Sequence, residues 1–198
     1  MVADAPIESK HLQVGPGGKG MRFIALVLLV GTLAEPCVAT GAADEVQVGQ
    51  LLRQASLRGL NGPSRQLSDF RGRPLIINVW ASWCGPCRAE MASLELLAWR
   101  DEGRAFAVIG ISTDDYIDQA KEWLRHSNAT ISQFIDQGLE MEHMLGASTL
   151  PLTVLVDAHG RILAKIHGAR DWDSPESRAF VRSTFGSRRD GAGRLNKD

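Results

Sequence analysis

The chain has 198 residues, enough for one full-sized α/β domain with length to spare for tails. Its 44% hydrophobic and 23% charged residues are those of an ordinary globular protein. A formal net charge of −1 argues against broad attraction to nucleic acid or an anionic membrane, and the Arg-rich stretch from Arg178 to Arg194 is local.

Residues 1–20, with Gly, Pro and Lys, read as a polar leader or as sequence upstream of a true start at Met21. Residues 21–43 then combine Arg22, an uncharged run of about 12 residues from Phe23 to Ala34, and small residues at Ala39, Gly41, Ala42 and Ala43. This three-part pattern is that of a secretory signal peptide. The run is short of the roughly 20 residues a spanning helix needs. A cleaved signal is therefore expected over an uncleaved anchor, and a buried core helix fits neither the flanks nor the period. Cleavage after this stretch would remove Cys37 and export the rest to an oxidising compartment, the periplasm.

From Asp44 to about Gly72 the chain is polar and rich in turn residues, which predicts a short hairpin or irregular lead-in. Leu75 to Trp80 is a short, β-branched apolar run suited to a strand covered on both faces, and Ala105 to Ser112 is a second. Met91, Leu94, Leu97 and Ala98 recur between them at helical spacing, so 75–112 reads as a parallel β-α-β unit. Ile117, Ala120, Trp123 and Leu124 mark a further helix, with Thr113 or Asp114 as the candidate N-cap. A shorter helix is expected over 137–145. Leu152 to Val156, the turn Asp157-Ala158-His159-Gly160, and Ile162, Ala164 and Ile166 predict an antiparallel hairpin. Ser174-Pro175-Glu176 carries cap, first-turn proline and dipole-matched acid for a closing helix, ended by Gly186. Residues 187–198 are charged and Gly-rich, and disorder is expected there. Residues 44–186 therefore form one α/β domain in the order β-α-β-α-(α)-β-β-α, with no internal repeat.

The chain has three cysteines, Cys37, Cys84 and Cys87. A link between Cys84 and Cys87 closes so small a loop that it contributes little by cross-linking, so chemistry is the better explanation. Trp83-Cys84-Gly85-Pro86-Cys87 falls where the first strand ends and the first helix begins. At a helix N-terminus free N–H groups and the dipole favour an anion, so the Cys84 thiolate, the attacking species in disulfide exchange, is stabilised there. Cys87 lies one turn deeper and can resolve a mixed disulfide, while Gly85 and Pro86 suit the opening turn. By spacing alone the pair also fits half of a metal site or two inert buried thiols. The strand-then-helix context weighs toward redox chemistry. His126, His143, His159 and His167 have no zinc-type spacing and read as surface residues.

The segment Asn78-Val79-Trp80-Ala81-Ser82-Trp83-Cys84-Gly85-Pro86-Cys87-Arg88-Ala89-Glu90-Met91 resembles the active site of thioredoxins, specifically the exported TlpA-like and ResA-like branch. Leu67 to Gly72, Leu150 to Asp157 and Gly168 to Glu176 extend the resemblance, which covers roughly residues 57–185. It implies a thioredoxin fold: a mixed sheet with a parallel β-α-β half plus an antiparallel hairpin, flanked by helices. It also implies a thiol-disulfide oxidoreductase with a redox-active Cys84–Cys87 disulfide, needing no cofactor because the cysteines carry both electrons. Pro151 matches the family's cis-proline, which packs beside the pair and leaves the preceding backbone free for a substrate chain. Glu90 matches a glutamate that adjoins the cysteines and affects proton handling; its other reading is a first-turn surface acid facing the dipole. Asn78 stands where thioredoxins proper have a buried Asp, which moves any base role toward Glu90 or water. Ala92 stands where many relatives have proline, leaving a helix kink open.

The implied function is a periplasmic protein-disulfide reductase. Its partners would be protein disulfides, such as apocytochrome c or copper-site proteins, and a membrane thiol-disulfide electron donor. Two alternatives are a disulfide-forming oxidant and a copper-delivery or holdase module without turnover.

Overall fold

The structure is a computed structural model, and it describes residues 45–100 and 105–186. The leader, the signal-like segment with Cys37 and the 187–198 tail lie outside the described residues. Seven strands form one mixed sheet: β1 (Ser56–Gly59), β2 (Arg65–Gln66), β3 (Leu75–Trp80), β4 (Ala107–Ser112), β5 (Ser132–Ile135), β6 (Leu152–Val156) and β7 (Ile162–His167). Their spatial order is β2-β1-β5-β4-β3-β6-β7. The helices are α1 (Gly85–Trp99), α2 (Ile117–Ser127), α3 (Glu140–Leu145) and α4 (Pro175–Gly186), with one turn of 3-10 helix over Leu67–Phe70.

Strand β3 runs parallel to β4 and antiparallel to β6, and β6 and β7 form the expected hairpin. The lead-in is a hairpin too, β1 with β2, and β1 joins the main sheet antiparallel to β5. Helix α1 is continuous through Ala92, with no break at the position where relatives carry proline.

Two expectations need correction. Strand β5, parallel to β4, was not foreseen. It has four residues, opens Ser-Gln, and offers only Phe134 and Ile135 as an apolar signal, so tertiary pairing decides it. The N-cap of α2 is Tyr116, without a side-chain cap bond, instead of Thr113 or Asp114. Asp114 is buried and engaged elsewhere, as described below.

Side chains alternate across the strands, which splits the core into two layers. Leu75, Ile77 and Val79 pack with Leu152, Val154 and Val156 and with Met141, Met144 and Leu145 of α3. Ile76 and Trp80 face the other way, against Cys87, Met91, Leu94 and Leu97 of α1. On that second face the strand register lines up Gln133, Gly110, Asn78 and Thr153 across four neighbouring strands. A polar row thus crosses an apolar layer beneath α1. Two bonds hold the row in place: Trp80 Nε1 donates to Gln133 Oε1 (2.9 Å), and Asn78 Nδ2 donates to Thr153 Oγ1 (3.0 Å), while Asn78 Oδ1 is buried without a partner among the described residues.

Gly110 makes room for that row, because a Cβ there would sit 1.9 Å from Gln133 Oε1. Gln133 is 1% exposed and held by Trp80, so it has little freedom to yield. Gly110→Ala should destabilise the protein by roughly 1–3 kcal/mol in urea unfolding, the usual range for overpacking. A loss below about 0.5 kcal/mol would mean that Gln133 is not fixed in this way.

Candidate active site

Strand β3 is buried along its whole length and ends at Trp80; α1 begins five residues later. The intervening segment turns tightly, with Cys84 N–H donating to Ala81 O at 3.1 Å. Cys84 is the N-cap of α1, Gly85 and Pro86 form its first turn, and Cys87 is its third residue. Proline is tolerated there because the helix's first N–H groups have no intrahelical acceptor. One of those free donors, Cys87 N–H, points at Cys84 Sγ (3.2 Å). Cys84 and Cys87 are joined by a disulfide with their Cα atoms 5.3 Å apart.

The two sulfurs are not equivalent in access. Cys84 retains 6% exposure and Cys87 has none. Trp83, 68% exposed, stands beside it in sequence. Pro151 follows a cis peptide bond from Leu150. The register that pairs Val79 with Leu152 brings Pro151 level with Trp80, at the edge of the sheet from which the cysteine segment departs.

Glu90 departs from one of its two expected readings. It is not a surface acid of the first turn: it is 3% exposed, one turn beyond Cys87 on the inward side of α1. Its Oε1 accepts from Asn78 Nδ2 (2.7 Å), and its Oε2 accepts from Arg170 N–H and Trp172 Nε1 (both 3.1 Å). Burial pushes the carboxyl above the ordinary glutamate range, and the three donors, led by Asn78 and Trp172, partly offset it. Arg170 and Trp172 belong to the segment after β7, and the Arg170 guanidinium stacks on both Trp172 and Phe180. A surface groove bounded by Ala89, Ser93, Leu96 and Arg170 reaches Glu90.

Apart from Pro151, the site residues expected from the sequence thus fall into two groups. Trp83, Cys84, Gly85, Pro86 and Cys87 form the strand-to-helix corner, and Glu90 lies behind it in the polar row with Asn78 and Thr153. Trp172 was not singled out as a site residue in the sequence, although its segment was. An indole that hydrogen-bonds a buried carboxylate from 82 residues away carries no local pattern. Among the described residues no group of three or more His, Cys, Asp or Glu side chains is arranged to hold a metal.

A cysteine pair at the strand-to-helix corner of a mixed sheet, with a cis-proline immediately before the strand β6 that pairs with β3, defines a thioredoxin-fold thiol-disulfide oxidoreductase. Comparison with known proteins agrees: the Redoxin family model matches residues 47–180, and the chain belongs to that family. It is 32% identical over 162 residues to the thiol:disulfide interchange protein DsbE of Vibrio cholerae, covering 76% of this chain and 86% of that protein. It is 25% identical over 125 residues to the thiol-disulfide oxidoreductase ResA of Bacillus thuringiensis, covering 63% and 72% respectively. Among solved structures, a Chlorobium tepidum protein provisionally assigned as thiol:disulfide interchange protein DsbE superposes with a TM-score of 0.65. That match is 23% identical and covers 71% of this chain and 99% of the other.

The raised Glu90 carboxyl has a measurable sign. The folded protein holds this proton to higher pH than the unfolded chain, so Glu90 favours folding most below the ordinary glutamate range. That advantage fades as pH rises through the folded-state value. The stability of wild type relative to Glu90→Gln, from urea unfolding across a pH series, should therefore fall with rising pH. A difference that stays flat, or rises, would contradict the burial account.

Proposed function

We propose that the chain is an exported protein-disulfide reductase in which Cys84 attacks and Cys87 resolves. The observation that carries this reading is the asymmetry of the pair: Cys84 is the accessible N-cap facing a free helix N–H, and Cys87 is wholly buried behind it. In the reduced protein the Cys84 thiolate attacks one sulfur of a substrate disulfide. A Cys84–substrate disulfide forms, and the other substrate sulfur leaves as a thiolate. Cys87 then gives up its proton and its thiolate attacks Cys84 Sγ. The mixed disulfide breaks, the second substrate thiolate leaves, and the Cys84–Cys87 disulfide closes. Two electrons pass to the substrate, and a membrane thiol-disulfide donor returns two to the pair. No other redox group is needed.

Glu90 takes the Cys87 proton in this scheme. It lies one turn along the same helix and is buried, and burial raises its carboxyl above the ordinary glutamate range, which makes it a stronger proton acceptor than a surface acid. The groove past Ala89, Ser93 and Arg170 gives that proton a route to solvent. Pro151, by the family resemblance, packs beside the sulfurs and leaves the Leu150 backbone to pair with an extended substrate. The exposed Trp83 supplies an apolar contact next to the reacting sulfur.

Export rests on the signal-like pattern of residues 21–43. None of the described helices is long and apolar enough to cross a membrane. By the same family resemblance, the substrates are cysteine pairs awaiting a ligand, in apocytochrome c or a copper-site protein.

Cysteine substitution tests the order of events. Cys84→Ser should abolish reduction of a protein disulfide such as insulin. Cys87→Ser should stop after the first step and accumulate a mixed disulfide through Cys84, visible as one added substrate mass. Retained turnover in Cys84→Ser, or trapping through Cys87 in the reciprocal variant, would overturn the assignment.

A further inference from the structure

Asp114 lies outside the cysteine motif, yet its carboxylate is as heavily hydrogen-bonded as that of Glu90, with three donors. It follows β4, is 1% exposed, and accepts from three donors. Ser82 contributes two of them, its backbone N–H at 2.9 Å and its hydroxyl at 2.6 Å. Ser112 contributes the third through its hydroxyl at 2.6 Å, and the Ser112 oxygen in turn accepts from Asp114 N–H at 3.2 Å. Thr113, between them, ties the same segment to the end of β3 through its N–H to Trp80 O (2.9 Å).

Ser82 is the second residue of the turn from Ala81 to Cys84. Trp83, the next, is 68% exposed, so packing of its ring does not hold the turn in place. The polar anchor that crosses to this turn is the Asp114 carboxylate, which binds both the main chain and the side chain of Ser82. Two bonds to one residue fix its orientation as well as its position. In the oxidised protein the Cys84–Cys87 bond also restrains the turn. Reduction removes that restraint at the moment when Cys84 must be held ready to attack.

We propose that Asp114 is a positioning residue for Cys84: its clamp on Ser82 keeps the attacking sulfur at the N-cap of α1 when the disulfide is open. The same requirement explains why Asp114 is not the cap of α2, since one carboxylate does not serve both places. This inference rests on the assignment of Cys84 as the attacking cysteine.

The experiment separates positioning from a change in thiol acidity. Reduced wild type, Asp114→Asn and Ser82→Ala are each reacted with a small aromatic disulfide across a pH range. The limiting rate at high pH, where the attacking sulfur is wholly thiolate, is compared among them. Asparagine keeps the shape but puts an NH2 donor in place of one of the two oxygens that separately accept from the Ser82 N–H and hydroxyl. The limiting rate should fall about tenfold or more in Asp114→Asn, since small misplacements of a reacting group cost this much. It should fall less in Ser82→Ala, which keeps the backbone bond and the charge. Exchange of the Ser82, Trp83 and Cys84 amides in the reduced protein should accelerate, while the amides of β3 and β4 stay protected. A profile that slides along the pH axis with its plateau changed by no more than about threefold per pH unit of slide would overturn the proposal, because a change in thiol acidity alone does that. Equal acceleration of exchange throughout the sheet would also overturn it. If Asp114→Asn does not fold, an unchanged plateau in Ser82→Ala is the overturning result. Mapping the modified cysteine in wild type keeps the two readings distinguishable: reaction at Cys87 first would remove the premise, not the clamp.

Discussion

Everything at the site hangs from the end of β3. That strand is paired on both edges and covered on both faces, so the segment that follows its last residue, Trp80, departs from a firmly held point. The chain must turn back within a few residues to lay α1 over the sheet. Whatever occupies the corner becomes the helix N-cap, facing N–H groups with no intrahelical partner. Putting Cys84 in that place couples the fold directly to the chemistry, because the donor that would satisfy any N-cap oxygen here faces a sulfur. A thiolate at such a corner is favoured by the same fields that stabilise the helix.

Beneath α1 the sheet departs from an apolar core in one direction only. Gln133, Gly110, Asn78 and Thr153 form a row, and the buried Glu90 reaches it from the helix. A buried carboxylate without a counter-cation is costly unless it is well hydrogen-bonded, and three donors from β3 and the 170–172 segment do this for Glu90. A second carboxylate, Asp114 after β4, has the same character, with three donors of its own. A purely structural core would fill these places with hydrocarbon. Fully hydrogen-bonded groups of this kind fix the orientation of the segments they join, here around the cysteine corner.

The parts of this architecture that were legible in the sequence share a physical basis. Strands β3, β4 and β6 are runs of aliphatic residues covered on both faces, and α1 and α4 carry caps or proline at their starts. Each signal is local. The cysteine corner was legible for the same reason, since motif and secondary-structure change coincide at Trp83 to Cys87. Strand β5 was not, because its polar Gln133 is buried for the sake of Trp80, two strands away. Asp114 read as a helix cap because aspartate before a helix usually is one. Its partner Ser82 is 32 residues distant, and no spacing rule reaches that far. Glu90 was legible as a residue of interest through family resemblance, but its burial depends on Asn78 and Trp172, which only the folded chain brings together.

The central claim is that Cys84 and Cys87 form a reversible two-electron couple poised to reduce other proteins. Its most direct test is the equilibrium potential of the protein in dithiothreitol or glutathione buffers. The Gly-Pro dipeptide between the cysteines resembles the reducing members of the fold, so a value near that of thioredoxin, about −270 mV, is predicted. A value near −120 mV, that of a strong oxidant, would contradict the reductase account. Absence of any reversible Cys84–Cys87 couple would contradict the redox account altogether.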